Sequence, residues 1–194
     1  MPNKNGLSFI KQYITKPRTV GAVLPSSKYL ADKMTENINF NKAKCIVEYG
    51  AGTGVFTDNI IKQKTEDTMV LIFENNMEFY NTLNEKYSNI ANIYIINDSA
   101  EHVGKYLHQY GIEFADYIIS GLPFASLPQE ISTKILHQTK AYLKPGGSFI
   151  TFQYTLLKKD FIEQFFPQID VKREVRNVPP AYVFCCRNIT MLNH

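Results

Sequence analysis

Cys45-Ile46-Val47-Glu48-Tyr49-Gly50-Ala51-Gly52-Thr53-Gly54 is the stretch that decides the fold. Its first five residues form a compact, mostly apolar run of strand length, and glycine then occupies every second position. Alternating glycines let the backbone turn sharply and come close to a ligand. Phe56 and Ile60 follow at helical spacing, so the turn opens a helix. Strand, glycine turn and helix in that order make the opening unit of an open α/β sheet. Such sheets bind ligands beyond the carboxyl ends of their strands.

Downstream, short β-branched runs alternate with longer runs of 3.6-residue period. That alternation predicts a parallel sheet covered by helices. Strands are expected at Met69–Phe73, Ile93–Ile96, Tyr117–Ile119 and Ser148–Tyr154. Helices are expected from Met77, from Ser99 as a cap, and over Gln129–Leu143. Lys144-Pro145-Gly146-Gly147 reads as a helix stop. Leu156–Phe166 reads as a short helix, and Val171–Val175 with Tyr182–Thr190 as a closing antiparallel pair. Upstream, Leu7–Ile14 and Lys28–Ile38 read as helices joined by a loop. Residues 1–40 therefore form a helical extension and 41–194 the main domain.

Spacing narrows the ligand. A dinucleotide turn of the form G-x-G-x-x-G needs glycine at position 55, where the chain has Val55. No G-K-[ST] follows, which excludes a P-loop. Glu48 places a carboxylate just before the turn, unfavourable for a pyrophosphate but suited to the cationic end of S-adenosylmethionine (SAM). Glu74 ends the second strand about 20 residues on, where an acid accepts hydrogen bonds from ribose hydroxyls. Asp98 ends the third strand and can accept from the adenine amino group. A glycine turn alone fits a structural role; three acids at three successive strand ends point to the nucleoside.

The totals agree with one such domain. The chain has 194 residues, 44% hydrophobic and 20% charged, with a net charge of +3. No apolar run is long enough to span a bilayer. The three cysteines, Cys45, Cys185 and Cys186, show no C-x-x-C spacing, and the four histidines form no helical ligand pair. No metal is expected, and a reducing cytoplasm is the expected location.

The glycine segment resembles motif I of the class I SAM-dependent methyltransferases. That resemblance implies a Rossmann-like α/β fold with a seven-stranded, mostly parallel sheet whose last strand is antiparallel. It assigns Glu48, Gly50, Ala51, Gly52 and Gly54 to the amino-acid part of the cofactor, Glu74 and Asn75 to the ribose, and Asp98, Ser99 and Ala100 to the adenine. Ser120-Gly121-Leu122-Pro123-Phe124, after strand four, resembles the N-[LI]-P-[YF] motif of the adenine-N6 methyltransferases, but Gly121 stands where they carry asparagine. Thr19-Val20-Gly21-Ala22-Val23-Leu24-Pro25-Ser26-Ser27, together with Ser120–Phe124 and Ser126-Leu127-Pro128, is similar to the bacterial phospholipid N-methyltransferases of the PmtA type. From that likeness Thr19, Gly21 and Ser120 join the cofactor site, and Gly121, Leu122, Pro123 and Phe124 form the catalytic loop. The implied activity is N-methylation of a phospholipid amino head group of the phosphatidylethanolamine kind, by a monomer. An RNA adenine or a small amine is the alternative acceptor; Gly121 and the absence of a dense basic stripe argue against RNA.

Leu7, Ile10 and Ile14 recur at helical spacing among Lys4, Lys11, Lys16 and Arg18. Such a helix suits an anionic membrane surface, at the inner face, or a lid over the cofactor. Tyr13, Phe124, Tyr154 and Tyr182 are candidates for an aromatic cage around a quaternary ammonium.

Overall fold

The computed structural model describes residues 27–189. The expected helix Leu7–Ile14, Thr19, Gly21, Tyr13 and the end of the last strand at Thr190 lie outside those residues.

Seven strands form one sheet in the order β3-β2-β1-β4-β5-β7-β6. They are β1 (Cys45–Tyr49), β2 (Met69–Phe73), β3 (Ile93–Ile96), β4 (Ala115–Ser120), β5 (Leu143–Gln153), β6 (Gln168–Glu174) and β7 (Ala181–Arg187). Only β7 runs against its neighbours β5 and β6; all other pairings are parallel. The resemblance implied this Rossmann-like architecture, and the structure has it. Six α-helices complete the described part: α1 (Lys28–Thr35), α2 (Val55–Gln63), α3 (Met77–Tyr87), α4 (Val103–Gln109), α5 (Gln129–Tyr142) and α6 (Lys159–Glu163).

Strand β1 is buried along its whole length because helices cover both faces of the sheet. Its side chains alternate between two cores. Cys45, Val47 and Tyr49 join Val103, Leu107, Leu136 and Phe149 on the face carrying α4, α5 and α6. Ile46 joins Leu30, Met34, Phe56, Ile60 and Leu83 on the face carrying α1, α2 and α3. Strand order runs outward from β1 to β2 and β3, then returns to β4 on the other side of β1. The carboxyl ends of β1 and β4 therefore flank the point where the chain reverses direction across the sheet, the natural crevice of this architecture.

Several element boundaries move. Helix α1 stops at Thr35, not Ile38; the Thr35 hydroxyl donates back to the Ala31 carbonyl, and Ile38 and Phe40 are buried in the turn beyond it. Lys144-Pro145-Gly146-Gly147 does end α5 but already belongs to β5, as a bulge against β4. Gly146 N–H donates to the Asn188 carbonyl at 2.7 Å and Asn188 N–H returns to Gly147, so this glycine turn is paired rather than free. Between 156 and 166 only Lys159–Glu163 is helical. Val175 falls outside β6, which ends at Glu174 under a bidentate clamp from Arg176.

Candidate active site

Glu48 sits at the fourth position of β1, so its side chain leaves the sheet on the face that packs against α2. It has no exposed surface. The Thr57 hydroxyl, in the first turn of α2, donates to its Oε2 at 2.7 Å, while Oε1 is buried without a hydrogen-bond partner among the described residues. Burial pushes the carboxyl up to about 8; the Thr57 hydrogen bond opposes that rise and the nearby Glu74 charge adds to it.

Glu74 follows the last residue of β2. Gly50 N–H donates to the Phe73 carbonyl, which draws the glycine turn over the end of that strand. Gly52 N–H then donates to Glu74 Oε2 at 2.8 Å, and Asn76 N–H donates to Oε1 at 2.8 Å. Glu74 thus fixes the turn as well as lining it. Burial raises its carboxyl above the usual range against the pull of those backbone donors.

One strand further out, Asn97 Nδ2 donates to the Glu74 carbonyl and places Asp98 beside it. Asp98 accepts from Ser99 N–H at 2.7 Å and from the Tyr106 hydroxyl at 2.9 Å, and pairs with His102 Nδ1 at 2.8 Å. Partial burial works against its ionisation, but these partners hold it below the usual carboxylate range. Asn75 is exposed between the two acids, and Ala100 is buried at the start of a short 3-10 turn capped by Ser99.

On the other side of the crevice the β4 loop touches the glycine turn. Gly121 N–H donates to the Tyr49 carbonyl at 2.8 Å. A Cβ at Gly121 would lie 2.7 Å from the Gly50 carbonyl oxygen, so no side chain fits without moving that backbone. Gly50, at a φ of +64°, has the Leu122 side chain where its own Cβ would point. An asparagine at 121 would therefore meet the Gly50 backbone in this chain. Ser120 is fully buried, and its hydroxyl accepts from Leu122 N–H. Leu122 and Pro123 are half-buried at the loop's surface.

Phe124 corrects an expectation. Its ring is fully buried and meets Phe149 edge-on at 6.1 Å, so it props the loop from beneath and offers no face to an acceptor. Tyr182 is half-buried beneath the Arg173 guanidinium, and Tyr154 lies edge-on to Phe152. With Phe124 in the core, the described residues do not assemble the aromatic cage.

Thr57, Tyr106 and Gln153 also join the site, outside the residues expected from the sequence. Thr57 is the one polar side chain on the buried stripe Phe56–Ile60, which was its available signal. Gln153, at the end of β5 and 3% exposed, reaches the Leu122 carbonyl at 3.4 Å.

The donor set fits SAM. A buried carboxylate oxygen lacking a donor is completed by a ligand ammonium, and Gly52 leaves open space where a side chain would stand. SAM supplies an activated methyl group on sulfur. Around it, Glu48 would hold the amino group, Glu74 the ribose and Asp98 the adenine edge.

Solved structures share this architecture. A SAM-dependent O-methyltransferase from Thermotoga maritima superposes with a TM-score of 0.64 at 12% identity, over 93% of this chain and 72% of that one. Residues 24–166 match the family model described as ribosomal RNA adenine dimethylase. An ornithine lipid N-methyltransferase from Singulisphaera acidiphila is 31% identical over 188 residues, covering 96% of this chain and 97% of the relative. Ribosomal RNA small subunit methyltransferase A from Borreliella afzelii is 25% identical over 143 residues, 70% of this chain and 47% of that protein. Fold, site and relatives define a class I SAM-dependent methyltransferase. Within that class, the chain belongs to the ribosomal RNA adenine dimethylase family.

Proposed function

We propose that this enzyme N-methylates the amino head group of a membrane lipid, of the phosphatidylethanolamine or ornithine lipid kind. The observation carrying this reading is the end-to-end similarity to an ornithine lipid N-methyltransferase, against a match to the ribosomal RNA enzyme that covers about half of that protein. The steric exclusion of asparagine at Gly121 supports it, because that side chain marks the adenine-specific motif.

The chemical demand on the protein is mainly alignment. The amine lone pair must lie behind the methyl carbon, and holding both partners in line supplies most of the acceleration. Gly121 and Leu122, pressed against Gly50, set the separation between the donor turn and the acceptor loop. An ammonium head group must first lose its proton, and a water-poor crevice favours the neutral amine. Leu30, Met34, Ile38 and Phe40 belong to the core of the main domain. The basic chain ahead of α1, not all of residues 1–40, therefore serves as the lid and membrane-facing segment, and the enzyme works as a monomer at the inner membrane face.

The test is transfer of labelled methyl from SAM to vesicles containing phosphatidylethanolamine or ornithine lipid, with ribosomal RNA in parallel. Mono- or dimethylated lipid is the expected product. Label on RNA alone would replace this reading with the adenine one.

A further inference from the structure

We infer that the rim formed by residues 154–158 and 175–180, with the start of α1, is a docking surface for an anionic lipid bilayer. This inference rests on the lipid reading above and specifies how the enzyme would meet its substrate. The β5–β7 register pairs Gln153 with Tyr182, so the chain leaving β5 runs beside the turn that enters β7. Ser27 N–H donates to Asn177 Oδ1 at 3.0 Å, which brings α1 to the same corner.

Single exposed apolar side chains are ordinary; their convergence on one edge is not. Five of the eight large hydrophobic residues exposed among the described residues lie here: Tyr29, Leu156, Leu157, Val175 and Val178. Leu157 is 84% exposed, and Val175 and Val178 are 62% and 63% exposed. Pro179 and Pro180 extend the same surface.

Charge indicates what covers it. Lys28, Lys158, Lys159, Arg173 and Arg176 lie around the apolar tips, against Asp32, Asp160, Glu163 and Glu174. Glu163 and Glu174 are tied to Lys159 and Arg176. Among the described residues, Lys28, Lys158 and Arg173 have no carboxylate partner, and Arg173 and Lys158 instead lie over the rings of Tyr182 and Phe161. Apolar tips ringed by unpaired cations are the chemistry of a protein face seated in the headgroup layer of an anionic membrane.

Position ties this face to the reaction. Thr151 pairs with Ser120 in the sheet, and Gln153 reaches Leu122, so the rim begins one strand away from the acceptor loop. A head group rising over the rim meets the loop while its acyl chains stay in the bilayer.

Co-sedimentation tests the rim directly. Full-length protein is mixed with phosphatidylcholine vesicles, with or without phosphatidylglycerol, and compared with Leu157→Glu and Val178→Glu. The wild type is expected to partition onto the anionic vesicles, and each variant to lose on the order of tenfold, since an apolar anchor is exchanged for a repelled charge. S-adenosylhomocysteine affinity by calorimetry should match wild type, which shows the variants are folded. Wild type that ignores anionic vesicles, or variants that bind them as wild type does, overturns the inference. Variants that bind vesicles normally but change a dimer into a monomer assign the rim to a second copy instead. Vesicle capture without methylated lipid breaks only the acceptor proposal; methylated lipid with unchanged variant binding breaks only the rim.

Discussion

The two halves of the sheet handle polarity in opposite ways. The β1–β3 half ends in acids: Glu48 and Glu74 are buried and Asp98 is held in place by three partners. The β4–β7 half ends in the neutral buried groups Ser120, Thr151 and Gln153, in Glu174, a buried acid already answered by Arg176, and then in an exposed apolar rim. A buried carboxylate is costly unless a cation or donor meets it, so the acidic half suits a cationic ligand. The other half, whose one buried acid among the described residues is paired within the protein, carries no such preference, and acceptors can differ there while the donor stays fixed. This explains how the family name and a lipid-modifying relative can refer to one fold.

Substitution where the halves meet should break that arrangement most severely. Gly121→Asn restores the residue of the adenine motif, yet its Cβ would lie 2.7 Å from the Gly50 carbonyl oxygen. Methyl transfer should fall by about a hundredfold, the scale of a misplacement near 1 Å. Thermal unfolding should show a loss of about 1–3 kcal/mol from overpacking. Normal activity in this variant would mean the two halves are not in register through this contact.

Next in size is Glu48→Gln, read by calorimetry with S-adenosylhomocysteine. Loss of a charge-assisted contact to the ligand ammonium should weaken binding by about 1.5–3 kcal/mol, tenfold to a hundredfold. The same carboxyl gives a pH signature. Its value of about 8 lies above the ordinary 4.5, so between those values the folded protein keeps a proton that the unfolded chain has lost. Stability contributed by this group therefore falls as pH rises across that window, while affinity for the cationic ligand rises toward and through pH 8. In Glu48→Gln both slopes should flatten. A slope that persists in denaturant titrations across that window would mean another group carries it.

A smaller effect is expected at Glu74→Ala, which frees the N–H groups of Gly52 and Asn76 and would remove the proposed ribose acceptor. Nucleoside affinity should drop roughly tenfold, near 1.4 kcal/mol. Unchanged affinity would remove the ribose assignment. Tyr106→Phe, which deletes one of the donors to Asp98, should cost only about 0.5–1.5 kcal/mol. Its effect should appear in the adenosine part of the ligand, tested by comparing S-adenosylhomocysteine with its inosine counterpart.

The contrast between halves also sets what the residues alone could reveal. On the acidic side, strand–glycine–helix spacing and three acids at strand ends were legible, because a fixed ligand demands fixed chemistry in short segments. On the other side, local pattern misled in two ways. Phe124 reads as an acceptor platform because it follows a proline turn, yet its ring is drawn into the core beside Phe149. Gly146-Gly147 reads as a helix stop, and its pairing depends on Asn188, just past the end of β7 and about 40 residues later. Thr57 and Gln153 gain their roles only through partners brought near by the fold.

Gly121 and Gly50 share a single clearance between backbones. A ligand that lifted the Gly50 carbonyl would press on the acceptor loop at the one position with no room for a side chain. Drift toward a new acceptor is correspondingly channelled to positions beyond 121, where side chains can change without disturbing the methyl donor.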